Sequence, residues 1–249
     1  MAVHRLDPSY VLAPLDALLA NCHSNVVLGL RLVQQIDDFP PPTSDELQFM
    51  QLSFGGRPDD LVASRKRFQR WILLNGFEDV HMALRDTLER LIVWKRLQRT
   101  AQANETTADE RERSLRAEVS RLHFPQLLAQ AAAYFPTGLT YQSHAESFNA
   151  ARNCLQHTHG IVTERHCTDG RLIVRGRRFK LYFKKEGEEI PAVMGHAGPE
   201  GAALMLGAEE FQLKFDVGES IELTLKQFLD VLNTCIFVRA EVSEFLNSQ

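Results

Sequence analysis

An arginine and a histidine are the minimum set for cleaving RNA without a metal. The stretch Ser147-Phe148-Asn149-Ala150-Ala151-Arg152-Asn153-Cys154-Leu155-Gln156-His157-Thr158-His159-Gly160 holds such a pair, Arg152 and His157, one and a half helical turns apart. A guanidinium suits a phosphate by geometry as well as charge, and an imidazole with an ordinary pKa of about 6.5 can exchange a proton at cellular pH. Asn153 sits four residues before His157, so on a helix the two share a side, where the amide could hold the imidazole or contact a phosphate. His159 is a second histidine at the same end.

A helix turns about 100° per residue. Tyr141, Ala145, Phe148, Ala151 and Leu155 then form one apolar stripe, with Arg152 at its margin and Asn153 and His157 on the opposite side. Side chains five apart diverge by about 140°, so Arg152 and His157 can meet one substrate only through a distorted helix end or a second subunit. The plainer reading of the same residues is structural. Arg152 would snorkel or pair with a carboxylate such as Glu146, and the histidines would decorate a polar helix end.

Arg152-Asn153 followed by His157 resembles the R-polar-x(3)-H motif of HEPN domains, helical modules common in prokaryotic toxin and phage-defence systems. As in many of these domains, the motif closes the last helix of an up-and-down bundle and is followed by a glycine and apolar residues, here Gly160-Ile161-Val162. The resemblance is specific over the motif helix and general over residues 1 to 160. It implies a metal-independent endoribonuclease with no cofactor. His157 would act on the ribose 2′-hydroxyl as base or on the leaving oxygen as acid, Arg152 would stabilise charge on the phosphate, and His159 falls within the family's looser spacing. It also implies a homodimer whose two motifs line one cleft.

Cys154, His157, His159, His166 and Cys167 invite comparison with a zinc site, but their spacing lacks the paired knuckles of structural zinc, and no metal is expected. A second concentration lies just downstream. Arg165, Arg171, Arg175, Arg177, Arg178, Lys180, Lys184 and Lys185 are opposed only by Asp169 before the acidic run at Glu186, with Phe179, Tyr182 and Phe183 interleaved. That mixture suits phosphate contact with base stacking, and Arg171, Arg175, Arg177, Arg178 and Lys180 are the expected RNA-binding residues. The bland counterpart is one solvated strand face with its aromatics in the core. The remaining histidines, His81 and His144 among them, have no comparable company and read as structural or surface, and Trp71 and Trp94 read as core.

The elements that must position these residues follow from hydrophobic period. Asp7-Pro8 opens a helix with apolar residues from Leu12 to Ile36, stopped by Phe39-Pro40-Pro41-Pro42. A short helix follows near Leu47 and Met50, then a break at Gly55-Gly56. A long helical region runs from about Asp59 to Ala103, interrupted near Asn75-Gly76 if it is two helices. Asn104 to Arg113 reads as an exposed turn or loop, followed by one helix through Leu115, Val119, Leu122, Leu127 and Leu128, and then the motif helix from about Tyr141 to Thr158. After Gly160 the pattern becomes strand-like: Arg171 to Val174 behind an Asp169-Gly170 turn, Phe179 to Phe183, Phe211 to Phe215 and Ser220 to Leu223, with residues 195 to 207 as a loop. Leu225 to Leu246 is a final amphipathic helix.

The expected class is therefore α+β, mainly α: a helical bundle over 1–160, then a basic antiparallel element and a helix over 161–249 that docks on the bundle. At 249 residues and a net charge of −4, any RNA contact must come from a local patch. Met1 to Tyr10 lacks a signal peptide's pattern, no stretch approaches the roughly 20 apolar residues of a membrane span, and four scattered cysteines suit a reducing compartment, so a cytoplasmic location is expected. The leading functional expectation is a HEPN-like endoribonuclease, a toxin or phage-defence effector, with RNA and an antitoxin or regulatory protein as further partners. The alternative is a non-catalytic regulatory or scaffold module that dimerises through the same helices.

Overall fold

The computed structural model describes residues 7–35, 61–100, 108–192 and 195–248. The short helix expected near Leu47 lies outside them. Helix α1 (Pro8–Gln35) starts where Asp7 Oδ1 accepts the Ser9 N–H at 2.9 Å, with proline at the first helical position where no N–H is needed. By length and composition it is the one described helix that could cross a membrane, a run longer than expected from the sequence. Its apolar residues Val11, Leu15, Cys22, Val26 and Val33 are nevertheless buried in the protein core.

Helix α2 (Leu61–Thr100) is one continuous helix, without the interruption near Asn75-Gly76 that a two-helix reading would require. A mid-helix glycine costs about 1 kcal/mol against alanine, and its reason here is packing. A Cβ on Gly76 would sit 2.5 Å from the Phe228 ring and 3.2 Å from Val26. The glycine lets the C-terminal helix lie close against α2, while Phe77 meets Phe228 and Phe148 edge to face.

The single helix expected through Leu128 is two, α3 (Ala108–Val119) and α4 (Phe124–Ala132). His123-Phe124-Pro125 restarts the chain: the proline sits in the first turn of α4 and the Gln126 side chain accepts the His123 N–H at 2.9 Å. Helix α3 also takes in residues 108–113, part of the stretch whose polarity predicts an exposed turn or loop. Helix α5 (Gln142–His157) buries the predicted stripe of Ala145, Phe148, Ala151 and Leu155, with Tyr141 buried just before it.

Strands β1 (Arg171–Lys185), β2 (Glu188–Pro191) and β3 (Ala203–Asp216) form an antiparallel sheet in the order β2-β1-β3. The two expected strand pieces of residues 171–183 are one long strand, and residues 203–207, expected in a loop, belong to β3. Glu186 and Gly187, both with positive φ, supply the tight β1–β2 turn, across which Lys185 pairs with Glu188. Of the strand expected at Ser220–Leu223, a single bridge between Ile161 and Ser220 is formed.

The first half of β1 has β3 on one edge and helices on the other. Ser147 Oγ of α5 accepts the Arg175 N–H at 2.9 Å. Thr234 Oγ1, on α6 (Leu225–Asn247), accepts the Arg177 N–H at 2.9 Å, and its hydroxyl lies 3.2 Å from the Arg177 carbonyl. Two hydroxyls thus satisfy an edge that would otherwise invite another strand. Helix α6 starts with a Thr224–Gln227 capping box and buries Phe228, Val231, Cys235, Val238 and Val242 in the same continuous core as α1, α2 and α5. The fold is mainly helical, with a small antiparallel sheet and a C-terminal helix.

Candidate functional site

Arg152 does not find Glu146, whose carboxylate accepts from Gln142 one turn earlier. It turns to α2, where its Nε donates to Glu78 at 3.1 Å, while its Nη1 donates to Asn153 Oδ1 at 3.2 Å. The Glu78 and Arg152 side chains are 24% and 22% exposed, so the pair is shielded without being sealed. Its Nη2 makes no hydrogen bond among the described residues. Asn153 therefore serves the arginine, not the imidazole.

His157 lies in the last turn of α5, exposed and without a hydrogen bond among the described residues. The structure does not bring Arg152 and His157 into contact, as the 140° divergence requires. The helix end beyond His157 is distorted. His159 has φ 52° and Gly160 φ 77°, and the Gly160 N–H reaches back to the Cys154 carbonyl at 3.0 Å. His159, also exposed, therefore leaves the helical course.

A further side chain joins the candidate site from α2. His81, one turn along α2 from Glu78, is 6% exposed, shares a 3.1 Å hydrogen bond with Asn149 Oδ1 and lies against the Phe124 ring, centroids 4.8 Å apart and tilted by 38°. Burial, and secondarily Arg152, push its pKa below the ordinary histidine value, so the ring is neutral near pH 7. Its Nδ1 is buried without a hydrogen-bond partner among the described residues. Asn149, Asn153 and His157 follow one another at four-residue steps; Asn149 meets His81 of α2, Asn153 meets the arginine that pairs with Glu78, and His157 stands exposed at the helix end. The sequence signal was the spacing Asn149-x(3)-Asn153-x(3)-His157; its partners on α2 lie some seventy residues away and carry no local mark. His144 meets Glu210 Oε2 at 2.7 Å.

The strand cations are less available than their number suggests. Arg171 pairs with Asp216 at 2.5 Å, Arg178 with Glu209 at 2.7 Å and Asp230 at 3.2 Å, and Lys180 with Glu189 at 2.8 Å. Arg177 lies 3.8 Å from Glu210 and donates to the Tyr141 hydroxyl at 3.0 Å. Arg175 has no ion pair among the described residues. The acids come from β3, β2 and α6, which the local charge count around residues 165–185 could not include.

Cys154, His166 and Cys167, near the motif, are engaged locally. Cys154 Sγ donates to the Ile161 carbonyl at 3.2 Å and lies 3.4 Å from Thr158 Oγ1; His166 Nδ1 lies 3.0 Å from Thr163 Oγ1; Cys167 Sγ donates to the Thr163 carbonyl at 3.3 Å. Burial raises the Cys154 thiol pKa, so it stays protonated. Among the described residues no group of three or more histidine, cysteine or acidic side chains is placed to hold a metal ion. No family model, curated protein or solved structure matches the chain.

Proposed function

We propose that this protein is a metal-independent endoribonuclease on a HEPN-like helical bundle, with Arg152, Asn153 and His157 as its reacting group and His159 as a second histidine at the same helix end. One observation carries the reading: a guanidinium held in fixed orientation by Glu78 and Asn153 lies on the same helix as an exposed imidazole that makes no hydrogen bond among the described residues. Fixing two of its nitrogens leaves Nη2 for a phosphate oxygen, and a donor oriented before substrate arrives is what stabilises developing charge. Two copies of the chain, facing at the end of α5, would overcome the divergence of Arg152 and His157 and make the site composite.

The reaction needs no metal. The ribose 2′-oxygen bonds to phosphorus as the bond to the 5′-oxygen breaks; the 2′-hydroxyl loses its proton to a base, and the 5′-oxygen takes one from an acid. His157 serves in one of these roles, and Arg152 offsets the charge on the phosphate. The toxin or phage-defence role, and an antitoxin or regulatory partner that restrains the activity, belong to the same proposal. RNA incubated in EDTA should be cut by the wild type and left intact by His157→Ala; cleavage that stops in EDTA would point to a metal instead.

The second reading is a non-catalytic regulatory or scaffold module. The neutralisation of Arg152 by Glu78, and of four of the five strand cations by carboxylates, favours it. Wild type and His157→Ala equally inactive on RNA would leave that module as the function.

A further inference from the structure

Strand β3 lies at the edge of the sheet and pairs with β1 alone. In β1 the Arg175 N–H goes to Ser147, both backbone groups of Arg177 meet Thr234, and the Leu181 carbonyl accepts the Ala192 N–H at 3.1 Å. These three residues therefore turn their backbone away from β3. Directly opposite residues of an antiparallel ladder either bond each other or both turn outward, so their partners Gln212, Glu210 and Leu206 send N–H and C=O off the open side of the sheet. By the same alternation Leu204 and Ala208 do so too. The Asp216 N–H, in the same phase at the far end of β3, bonds Glu219 Oε2 outside the ladder.

Edge strands are commonly blunted by proline, lysine or a bulge. From Ala203 to Leu213 this edge has neither proline nor lysine, and its register with β1 runs unbroken from Asp216 to Ala203. Residues 203–208 carry no charge. On one face of this end of the sheet stand Phe179, Leu181, Leu204 and Leu206, with Leu181 directly opposite Leu206 and the last two residues 59% and 63% exposed.

We infer that β3 pairs with β3 of a second copy of this chain, antiparallel about a two-fold axis at Leu206. In that register Leu206 faces Leu206, and Leu204 of each copy faces Ala208 of the other. All of these residues turn outward, so each facing pair exchanges two backbone hydrogen bonds. Facing residues share a side of the sheet, and Leu181, Leu204 and Leu206 of both copies join into one apolar face. Charge selects the second copy and this register. Glu209 falls opposite Ala203, whereas an axis at Glu210 would set carboxylate against carboxylate, and residues 203–208 offer a foreign strand no charge to read. The contact is separate from an approach of two α5 ends. Gly160 and Val162, just past α5, bond Ile221 and Glu219 beyond the Asp216 end of β3, about 33 Å along the strand from Leu206 at about 3.3 Å per residue. This pairing holds the two α5 ends apart and stands independently of the nuclease reading; a composite site would need a further contact at α5.

The test is sedimentation equilibrium of the full chain over a concentration series, with amide exchange read residue by residue. Wild type should reach the mass of two chains, and the amides of Leu204, Leu206 and Ala208 should exchange slowly, although the sheet of a single chain leaves them unbonded. Leu206→Lys, on a side chain already in water, brings two ammonium groups together at the axis. It should give a monomer with unchanged circular dichroism in which those three amides exchange fast. Leu206→Cys should form a disulfide-linked dimer under mild oxidation, above the wild-type background, because facing bonded residues lie about 5.5 Å apart at Cα, within disulfide reach. Lys214→Cys, on the same edge but far from the axis, should not. A wild type that is monomeric at every concentration, a dimer unchanged by Leu206→Lys, or equal cross-linking at Lys214→Cys overturns the inference. Should Leu206→Lys fail to fold, the two cysteine variants decide it.

Discussion

Arg152 on α5 and Glu78 on α2 form the ion pair that ties the motif helix to the longest helix of the fold, with Nε at 3.0–3.1 Å from the carboxylate oxygens. Exposed pairs contribute about 0–1 kcal/mol, and breaking a buried one costs about 3–5 kcal/mol. This half-shielded pair falls between. Glu78→Ala should therefore cost about 1–3 kcal/mol in urea unfolding, and a double-mutant cycle with Arg152→Ala should return a coupling energy above about 0.5 kcal/mol. Additive effects would mean that Glu78 does not hold the guanidinium.

His81 makes stability depend on pH in a definite sense. Its folded-state pKa lies below the unfolded value of about 6.5, so the unfolded chain binds the proton more readily. The contribution of the neutral ring is complete above the unfolded pKa. It is lost as pH falls below about 6.5 toward the lowered folded value. His81→Gln, which keeps an amide for Asn149, should be less stable than wild type at pH 7.5, and the difference should shrink at pH 5. Melting curves at both values decide it; a difference that stays constant would show that His81 does not titrate differently on folding.

Gly76→Ala should destabilise, against the helix propensity that favours alanine by about 1 kcal/mol. The added methyl meets the Phe228 ring at 2.5 Å, and overpacking of this kind costs about 1–3 kcal/mol. Phe228→Leu in the same chain should recover part of the loss. A more stable Gly76→Ala protein would contradict the close α2–α6 packing.

Thr234→Val keeps the shape of a fully buried side chain and removes the hydroxyl that serves both polar groups of Arg177. Leaving a buried backbone N–H without an acceptor costs about 1–3 kcal/mol. Thermal melting should register that loss, with faster exchange of the Arg177 amide. An unchanged melt would mean that the β1 edge does not depend on this contact.

The local signals were readable and the distant ones were not. The stripe from Ala145 to Leu155, the Asp7-Pro8 helix start and the Asp169-Gly170 turn are written within a few residues, and the structure has them where period and turn chemistry put them. The sequence also shows Arg152 to be an arginine beside an apolar stripe that needs a partner. That its partner is Glu78 and not Glu146 depends on how α2 and α5 cross. The same holds for His81, which becomes a site residue only because α4 and α5 close over it, bringing Phe124 and Asn149 to the ring. Charge was the least legible: Arg178 and Lys180 look free in sequence because Glu209, Asp230 and Glu189 arrive from other elements. Conversely, the run from Arg65 to Trp71 passed as an ordinary core helix, because exposure of Phe68 and Trp71 is a property of the fold.

The central claim concerns chemistry at the 2′-hydroxyl, so the most direct measurement is of the ends that cleavage leaves. A single-stranded RNA and the same strand with 2′-deoxyribose at the cleaved position are incubated with the wild type in EDTA, and the products are resolved by mass spectrometry. The account predicts 2′,3′-cyclic phosphate and 5′-hydroxyl ends from the RNA, no cleavage at the deoxy position, and neither product from Arg152→Ala or His157→Ala. Fragments ending in 5′-phosphate, cleavage of the deoxy strand, or an RNA left whole by the wild type would contradict it.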